Sequence, residues 1–285
     1  MRIRNEINRN GFFLLAPFIF FLLFSAKSFA NDVHLSWEKA VIFLPNTSQR
    51  VKSNEINLDK NYPVLIYLHG CTGIHPNHDL NWGEYISRMG FLVIMPDSFA
   101  RQNRVANCDP ILQRRTNRFP DAYKYRQEEI IFTVERIKNL PFINQKYIFL
   151  MGHSEGGIAT AQSSITSFTG LIISGWSCTD SSGYFPSGIK SPKTLPILAI
   201  ADLNDPWRVS TSTYGRCKDV SGERDITQVD LKNSSHETFH DEIAKDEVFN
   251  FLNKNTSNYN IVKPKPFTVL LEPTEIDEPL IELGK

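Results

Sequence analysis

Residues 147–157 read Tyr-Ile-Phe-Leu-Met-Gly-His-Ser-Glu-Gly-Gly, which is the most informative stretch of the chain. The first five residues form an apolar, β-prone run that predicts a buried strand. The run leads into a Gly-x-Ser-x-Gly motif centred on Ser154, and the small residues of 156–167 predict a helix that packs closely on a sheet. This order is typical of a nucleophile elbow, in which a sharp turn strains the serine backbone and holds its hydroxyl beside a helix N-terminus.

Further apolar runs predict strands that are separated by helical patterns. Residues 121–139 place apolar side chains on one helical face, and 243–252 predict a closing helix. Strands that alternate with helices predict an α/β fold with a mostly parallel central sheet and helices on both faces. The expected strands are 41–44, 63–68, 91–95, 147–151, 171–173, 195–200 and 228–231.

The first 30 residues read as a secretory signal peptide. Three arginines precede an apolar run at 11–24, and Ser28-Phe29-Ala30 offers small residues to a signal peptidase. The run is shorter than the ~20 residues that span a bilayer, so we favour cleavage over an uncleaved membrane anchor. We therefore expect a secreted or periplasmic protein without a stable membrane anchor. Its predicted parts are a signal peptide at 1–30, one domain at 31–252 and a Pro-spaced acidic tail at 253–285, with a candidate edge strand at 267–271.

Charge and cysteine content narrow the class of partner. The chain has 31 Lys+Arg and 31 Asp+Glu, and loss of 1–30 removes four cations and one anion, which leaves a net charge of about −3. No basic surplus remains to attract phosphate backbones, so we expect no nucleic-acid partner.

The four cysteines all follow residue 30. In an oxidising compartment they favour two disulfides, with three pairings open, over four buried thiols.

A second motif supports a catalytic role for Ser154. The strand predicted at 63–68 ends in His69-Gly70-Cys71-Thr72-Gly73. A loop in this position supplies one half of an oxyanion hole, and the backbone N–H of the residue after the nucleophile supplies the other. We predict Glu155 and Cys71 as the two donors, with Thr72 as the alternative to Cys71.

The catalytic acid and base are expected after Ser154, in that order. Asp205 lies a few residues past a predicted strand, where the acid usually sits, and we favour it over Asp202. His236 follows the last predicted strand, and we favour it as the base over His240 near the start of the final helix. Such a set performs acyl transfer, which needs neither a metal nor an organic cofactor.

These motifs together resemble the α/β-hydrolase superfamily and, within it, the dienelactone hydrolase-like branch. The likeness covers 41–252 and is carried by 68–73, 90–99, the elbow, Asp205 and His236. Dienelactone hydrolases carry a cysteine nucleophile, whereas this chain has Ser154. The resemblance therefore implies the α/β-hydrolase fold and a more general hydrolase of carboxylic esters or lactones, with a small-molecule ester as its partner.

The resemblance also implies a disulfide pairing and a set of residues near the substrate. Cys71 and Cys108 follow strands that end at the active-site edge, as do Cys178 and Cys217, so we prefer the pairing Cys71–Cys108 and Cys178–Cys217. Two tryptophans near the expected site are predicted to contact substrate, and four arginines after Asp97 are candidates for a substrate carboxylate, with solvated surface residues as the alternative. These residues are Trp176 and Trp207, and Arg101, Arg104, Arg114 and Arg115.

Two other functions compete with the ester hydrolase. A serine peptidase of the prolyl-oligopeptidase type shares the fold and the residue order, but such enzymes usually carry a large extra domain, for which the 255 residues after the signal leave no room. A catalytically silent hydrolase fold used for binding is the third interpretation, and the intact Ser, Asp and His set argues against it. Nothing in the sequence indicates an oligomeric state.

Overall fold

A computed structural model describes residues 32–265, except 110, 112–113, 116–118, 181–182, 184 and 209–214. The predicted signal peptide and the candidate edge strand at 267–271 lie outside the described residues. Within the described part of the chain, no helix is both long enough and apolar enough to cross a bilayer. The described α-helices are α1 (Val33–Glu38), α2 (Asn81–Arg88), α3 (Phe119–Lys138), α4 (Glu155–Ala161) and α5 (Glu242–Asn255). The strands are β1 (Val41–Phe43), β2 (Arg50–Val51), β3 (Tyr62–Leu68), β4 (Leu92–Met95), β5 (Cys108–Asp109), β6 (Arg114–Arg115), β7 (Ile143–His153), β8 (Gly170–Ser174), β9 (Ile197–Asp202) and β10 (Ile226–Leu231).

Eight of these strands form one mixed sheet in the order β10-β9-β8-β7-β3-β4-β1-β2. The six strands from β10 to β4 in this order are mutually parallel, whereas β1 runs antiparallel to both β4 and β2. Strands β5 and β6 form a separate antiparallel hairpin. The mostly parallel sheet predicted from the continuous apolar runs is confirmed, and β7, which leads into Ser154, lies near its centre.

The sheet has a packed core on each face, because alternate side chains of each strand point to opposite sides. Val64 and Ile66 of β3 pack on one side with α1, α3 and α4, while Leu65 and Tyr67 pack on the other with α2 and α5. Both faces of the central strands are therefore covered, which is why their sequences are apolar throughout. This arrangement leaves the ends of the strands as the place where polar side chains meet.

The helices differ from the sequence expectation at two places. The helix predicted at 156–167 ends at Ala161, because the following residues, 163–169, are rich in Ser and Thr, which compete for backbone hydrogen bonds. Helix α2 was not predicted, although Trp82, Tyr85 and Ile86 within it and Met89 directly after it are buried at the i, i+3, i+4, i+7 spacing of an amphipathic helix.

The segment after residue 252 begins as part of the domain. Helix α5 continues to Asn255, and Thr256 and Ile261 beyond it are buried. The backbone N–H of Asn258 donates to the Tyr147 hydroxyl at 3.3 Å, and the Tyr259 hydroxyl donates to the Gly90 carbonyl at 3.4 Å. Residues 256–261 therefore pack against the sheet and its connections.

Candidate active site

Ser154 occupies a strained turn between β7 and α4. Its backbone has φ +55° and ψ −114°, a conformation that L-residues adopt only under constraint. The two motif glycines explain why the turn can form. A Cβ on Gly152 would overlap the backbone of Gly156, and a Cβ on Gly156 would overlap the carbonyl of Leu68 in β3. The Gly-x-Ser-x-Gly spacing is thus required by the close approach of helix and sheet, and it leaves Ser154 at the N-terminus of α4.

Asp205 and His236 form a hydrogen-bonded pair beside Ser154. The Nδ1 of His236 lies 2.6 Å from Oδ2 of Asp205, and the other carboxylate oxygen accepts from the backbone N–H of Trp207 at 2.8 Å. Asp205 is buried, whereas the His236 side chain is 19% exposed. The pairing indicates that Nδ1 carries the proton, which leaves Nε2 of His236 as the basic nitrogen.

The competing residues, Asp202 and His240, have other partners. Asp202 is buried at the end of β9 and accepts from the backbone N–H groups of Asn204 at 2.7 Å and of Asn233 at 2.5 Å. It therefore ties down the loop that carries His236. His240 is exposed, and its Nε2 lies 3.4 Å from the Glu237 carboxylate. The structure brings Asp205 and His236 together and keeps the other two apart from this pair.

The loop after β3 lies against Ser154. A Cβ on Gly70 would lie 3.6 Å from Ser154 Cβ, so the following residue, Cys71, is close to the elbow. Within the described residues, the backbone N–H groups of Cys71 and Glu155 make no hydrogen bond with the protein. Both are thus available to a ligand at Ser154. Thr72, the alternative donor, lines the adjoining cleft instead.

Two disulfides brace this edge of the sheet in the pairing that we prefer from the sequence. Cys71 is bonded to Cys108, with a Cα–Cα distance of 5.9 Å, and Cys178 is bonded to Cys217, with a Cα–Cα distance of 4.7 Å. The first disulfide ties the loop after β3 to the hairpin that begins at Cys108. The second ties the segment after β8 to the turn that precedes β10.

A largely apolar cleft of about 530 Å³ opens at Ser154. Trp176 packs edge-on against Phe185, with ring centroids 5.5 Å apart, and the ring of Trp207 lies 5.5 Å from that of His236. Both predicted substrate contacts, Trp176 and Trp207, therefore line the cleft. A second cleft of about 640 Å³ shares Cys71, Ser154, Trp207 and His236 with the first. The first cleft is lined by Cys71, Asn107, Cys108, Ser154, Glu155, Ile158, Gly175, Trp176, Ser177, Phe185, Asp205, Trp207, Arg208 and His236.

Solved structures share this architecture. The chain is similar to Est1E from Butyrivibrio proteoclasticus with ferulic acid bound, at 14% sequence identity over 77% of this chain and 95% of that chain, with a TM-score of 0.52. It is also similar to a dienelactone hydrolase-like promiscuous phosphotriesterase from metagenomic libraries, at 14% identity over 72% and 89% of the two chains, with a TM-score of 0.50. The chain has the α/β-hydrolase fold. The fold expected from the resemblance is therefore confirmed.

A larger enzyme has the same fold over part of its length. The acylaminoacyl peptidase of Pyrococcus horikoshii is 14% identical, over 81% of this chain and 41% of that chain, with a TM-score of 0.50. No protein-family model and no curated protein sequence matches the chain. At these identities the comparisons establish the α/β-hydrolase fold, and what this chain does with the fold depends on its own site.

Two of the arginines predicted to bind a substrate carboxylate are buried against the protein's own carboxylates, so that prediction is wrong for both. Arg101 pairs with Asp32 at 2.7 Å and with Glu128 at 2.6 Å. Arg104 pairs with Glu155 at 2.5 Å. The side chains of the other two candidates, Arg114 and Arg115, lie outside the described part of the structure.

Sequence reasoning missed a fully buried ion pair beneath this site. Arg126 of α3 donates through Nε to Glu155 at 2.7 Å and lies 3.4 Å from Glu129, which also accepts from the Ser98 hydroxyl at 2.7 Å. Burial alone would lower the pKa of Arg126, but Glu155 and then Glu129 raise it. The signal was the position of Arg126, four residues before the buried Ile130 on the apolar face of α3.

Three histidines of the site are buried and electrically neutral. Burial lowers the pKa of His69, His78 and His153 well below the ordinary value, and nearby Arg126 adds to the effect at His69. The rings of His78 and His153 lie 4.0 Å apart, and His153 lies 4.8 Å from His236. Protonation of any of these buried rings would add a positive charge beside another imidazole or beside Arg126. Among the described residues, no group of His, Cys, Asp and Glu side chains is arranged to hold a metal ion.

These neutral histidines are expected to make the fold lose stability as the pH falls below about 6.5. Below that pH the unfolded chain binds protons at His69, His78 and His153 that the folded chain excludes, so unfolding is favoured by about 1.4 kcal/mol per histidine per pH unit. Burial raises the pKa of Asp79 and Glu129, which works in the opposite sense and reduces the net slope at lower pH. Urea unfolding of the oxidised protein at pH 7.5, 6.5 and 5.5 measures the effect.

A matched pair of variants isolates the contribution of one buried ring. His78→Gln is expected to flatten the dependence of the unfolding free energy on pH, whereas His34→Gln, at a 39% exposed side chain of α1, leaves it unchanged. A free energy of unfolding that is the same at pH 7.5 and 5.5 in the parent protein would contradict the prediction.

Proposed function

We propose that this chain is an exported serine hydrolase that cleaves carboxylic ester bonds through an acyl-enzyme on Ser154. The observation that carries the proposal is the lining of one cleft by Ser154, the Asp205–His236 pair and the two free backbone donors of Cys71 and Glu155. A nucleophile, an oriented base and an oxyanion site within one cleft are the parts that acyl transfer requires.

In the first half of the reaction, Nε2 of His236 takes the proton of the Ser154 hydroxyl as Oγ attacks the ester carbonyl carbon. The carbonyl oxygen becomes an oxyanion and accepts hydrogen bonds from the N–H groups of Cys71 and Glu155. Asp205 stabilises the imidazolium that forms and keeps its ring oriented. Collapse of the tetrahedral intermediate breaks the bond to the leaving alcohol, which receives the proton from His236.

In the second half, water replaces the alcohol. His236 removes a proton from the water as its oxygen attacks the acyl-enzyme, and a second tetrahedral intermediate forms on the same donors. Its collapse breaks the bond between the acyl carbon and Ser154 Oγ, which recovers the proton from His236. The products are one carboxylic acid and one alcohol, and the enzyme returns to its starting state. None of these steps calls on a cofactor.

The walls of the 530 Å³ cleft support an apolar acyl group as the part of the substrate that binds there. Trp176, Phe185 and Ile158 line it with apolar side chains, and the ring of Trp207, also in the lining, lies 5.5 Å from that of His236. Burial of apolar substrate surface against such rings contributes about 25 cal/mol per Å². We therefore propose Trp176 and Trp207 as substrate contacts.

Export from the cytoplasm is supported by two independent features. The basic and apolar character of 1–30 is typical of a secretory signal, and the chain has two disulfides, which persist in oxidising compartments. We propose that the protein acts in the periplasm or outside the cell.

The experiment that tests the proposal combines a probe with a substrate pair. We expect a fluorophosphonate probe to label the purified protein at Ser154, as located by peptide mass spectrometry, and p-nitrophenyl acetate and butyrate to be hydrolysed. The peptidase alternative predicts faster cleavage of a prolyl p-nitroanilide than of the esters. Protein that is folded, yet neither labels nor hydrolyses either ester, would overturn the proposal in favour of a silent binding protein.

A further inference from the structure

The side chain of Arg126 connects the two segments that carry the proposed oxyanion donors. On one side, its Nε donates to the carboxylate of Glu155, the residue whose own N–H faces the site, at 2.7 Å. On the other side, its Nη2 donates to the backbone carbonyls of His69 at 2.9 Å and Gly70 at 3.2 Å. These segments follow β7 and β3, which are neighbours in the sheet. Arg126 itself is fully buried and does not line the cleft around Ser154.

The bond to the Gly70 carbonyl bears directly on the donor group of Cys71. The carbonyl of Gly70 and the N–H of Cys71 belong to one planar trans peptide, in which C=O and N–H point in opposite directions. Anchoring the oxygen on the Arg126 side therefore fixes the direction of the N–H on the cleft side. The His69 ring approaches the same oxygen through Nδ1 at 2.7 Å, and its Nε2 accepts from the backbone N–H of Ser98 at 3.2 Å.

Two neighbouring acidic side chains stabilise the Arg126 guanidinium in this position. Glu155 and Glu129 both lie beside the Arg126 guanidinium, and together they offset its burial. A cation that binds the Gly70 oxygen also polarises that peptide, which makes the N–H of Cys71 a stronger donor. Arg104 is the second partner of Glu155, but within the described residues its guanidinium hydrogen-bonds to Glu155, Ser98 and Val105 and not to the Gly70 carbonyl. Arg126 thus serves both segments.

We infer that Arg126 is a positioning residue that sets the separation and direction of the two oxyanion donors, Cys71 N–H and Glu155 N–H. The inference rests on the proposed function, because it assigns a role within that reaction. The fork of the guanidinium is essential to it, since a lysine ammonium in its place keeps the charge but cannot bind a carboxylate and two carbonyls in fixed directions. Misaligned donors stabilise the transition state less, while the substrate in its ground state is bound as before.

The test compares Arg126→Lys with Arg136→Lys, which changes an exposed arginine of the same helix. Removal of one oxyanion donor lowers kcat by about 10²–10³-fold, so misalignment in Arg126→Lys is expected to lower kcat by about 10–100-fold with KM within twofold. A trifluoromethyl ketone inhibitor, which forms the oxyanion adduct, is expected to bind more weakly by a similar factor. Rates are divided by the number of sites that fluorophosphonate labels at saturation, which corrects for unfolded protein. Arg136→Lys is expected to match the parent in each measurement.

Two further measurements keep the inference open to refutation. If Arg126→Lys does not fold, Glu155→Ala releases one side of the bridge while Arg126 keeps Glu129, and the same loss in kcat is expected. The amide ¹H–¹⁵N resonance of Cys71 is expected to shift in Arg126→Lys and not in Arg136→Lys, whether or not esters are hydrolysed. Unchanged kcat per labelled site in the folded variants, or an unchanged Cys71 resonance, would overturn the role of Arg126. Failure of the parent to label or hydrolyse would instead refute the proposed function.

Discussion

Replacing Ser154 with alanine is expected to lower kcat for p-nitrophenyl acetate by about 10⁴–10⁶-fold, because the proposed acyl-enzyme forms on the hydroxyl of this serine. The fold is expected to survive. Alanine has the same Cβ as serine, so the strained backbone at φ +55° is no worse for it. The free energy of unfolding is therefore expected to change by no more than about 0.5 kcal/mol.

The measurement uses initial rates and urea unfolding of the same preparations. Ser164→Ala, at an exposed position beyond α4, is the matched control and is expected to keep full activity. Fluorophosphonate is expected to label the parent and the control but not Ser154→Ala. A folded Ser154→Ala protein that retains one tenth of the parental kcat would show that the hydrolysis does not pass through this serine.

Much of the fold could be predicted because the central strands are buried on both faces. A strand of that kind must be apolar at every position, so β3, β4, β7 and β8 stand out as continuous runs in the sequence. The elbow could be predicted for a related reason. Only glycine fits at 152 and 156, where helix and sheet approach most closely. The Gly-x-Ser-x-Gly spacing in the sequence therefore predicts the turn.

The choice between neighbouring acidic residues could be argued from the sequence only by position along the chain. Asp202 and Asp205 are three residues apart, and each has the chemistry of a catalytic acid. Their roles differ because of the path of the loop after β10. The backbone N–H of Asn233 in this loop donates to Asp202, whereas the imidazole of His236 pairs with Asp205. Contacts between segments about 30 residues apart leave no local pattern to recognise.

The burial of charged side chains near the site could not be predicted from sequence patterns. Arginine is mostly exposed in proteins, so the sequence predicts Arg101 and Arg104 as surface residues that face substrate and gives no sign that Arg126 is buried beneath the site. Their burial depends on Glu128, Glu155 and other carboxylates that approach from separate elements. A charge can be buried only when such partners are assembled, and the sequence does not display that assembly.

His236→Ala is expected to lower kcat about as far as Ser154→Ala, by about 10⁴–10⁶-fold, whereas His240→Ala leaves it unchanged. His236 is the histidine that is paired with Asp205, at 2.6 Å, while His240 is exposed and contacts Glu237. The unfolding free energy of His236→Ala is expected to fall by about 1–3 kcal/mol, because the buried Asp205 loses one hydrogen-bond partner while Asp202 still holds the loop. Initial rates of ester hydrolysis and urea unfolding of both variants make the comparison.

The double variant Ser154→Ala/His236→Ala decides whether the two residues act as one unit. Attack by Ser154 requires that His236 remove its proton. Either substitution alone therefore abolishes the contribution of this step to kcat, and the second causes no further loss. The double variant is therefore expected to be no slower than either single variant, whereas two independent contributions would multiply. A further loss in the double variant, or full activity in His236→Ala with loss in His240→Ala, would move the base away from His236. Because the pairing with Asp205 orients only His236, the geometry favours a double variant that is no slower than either single variant.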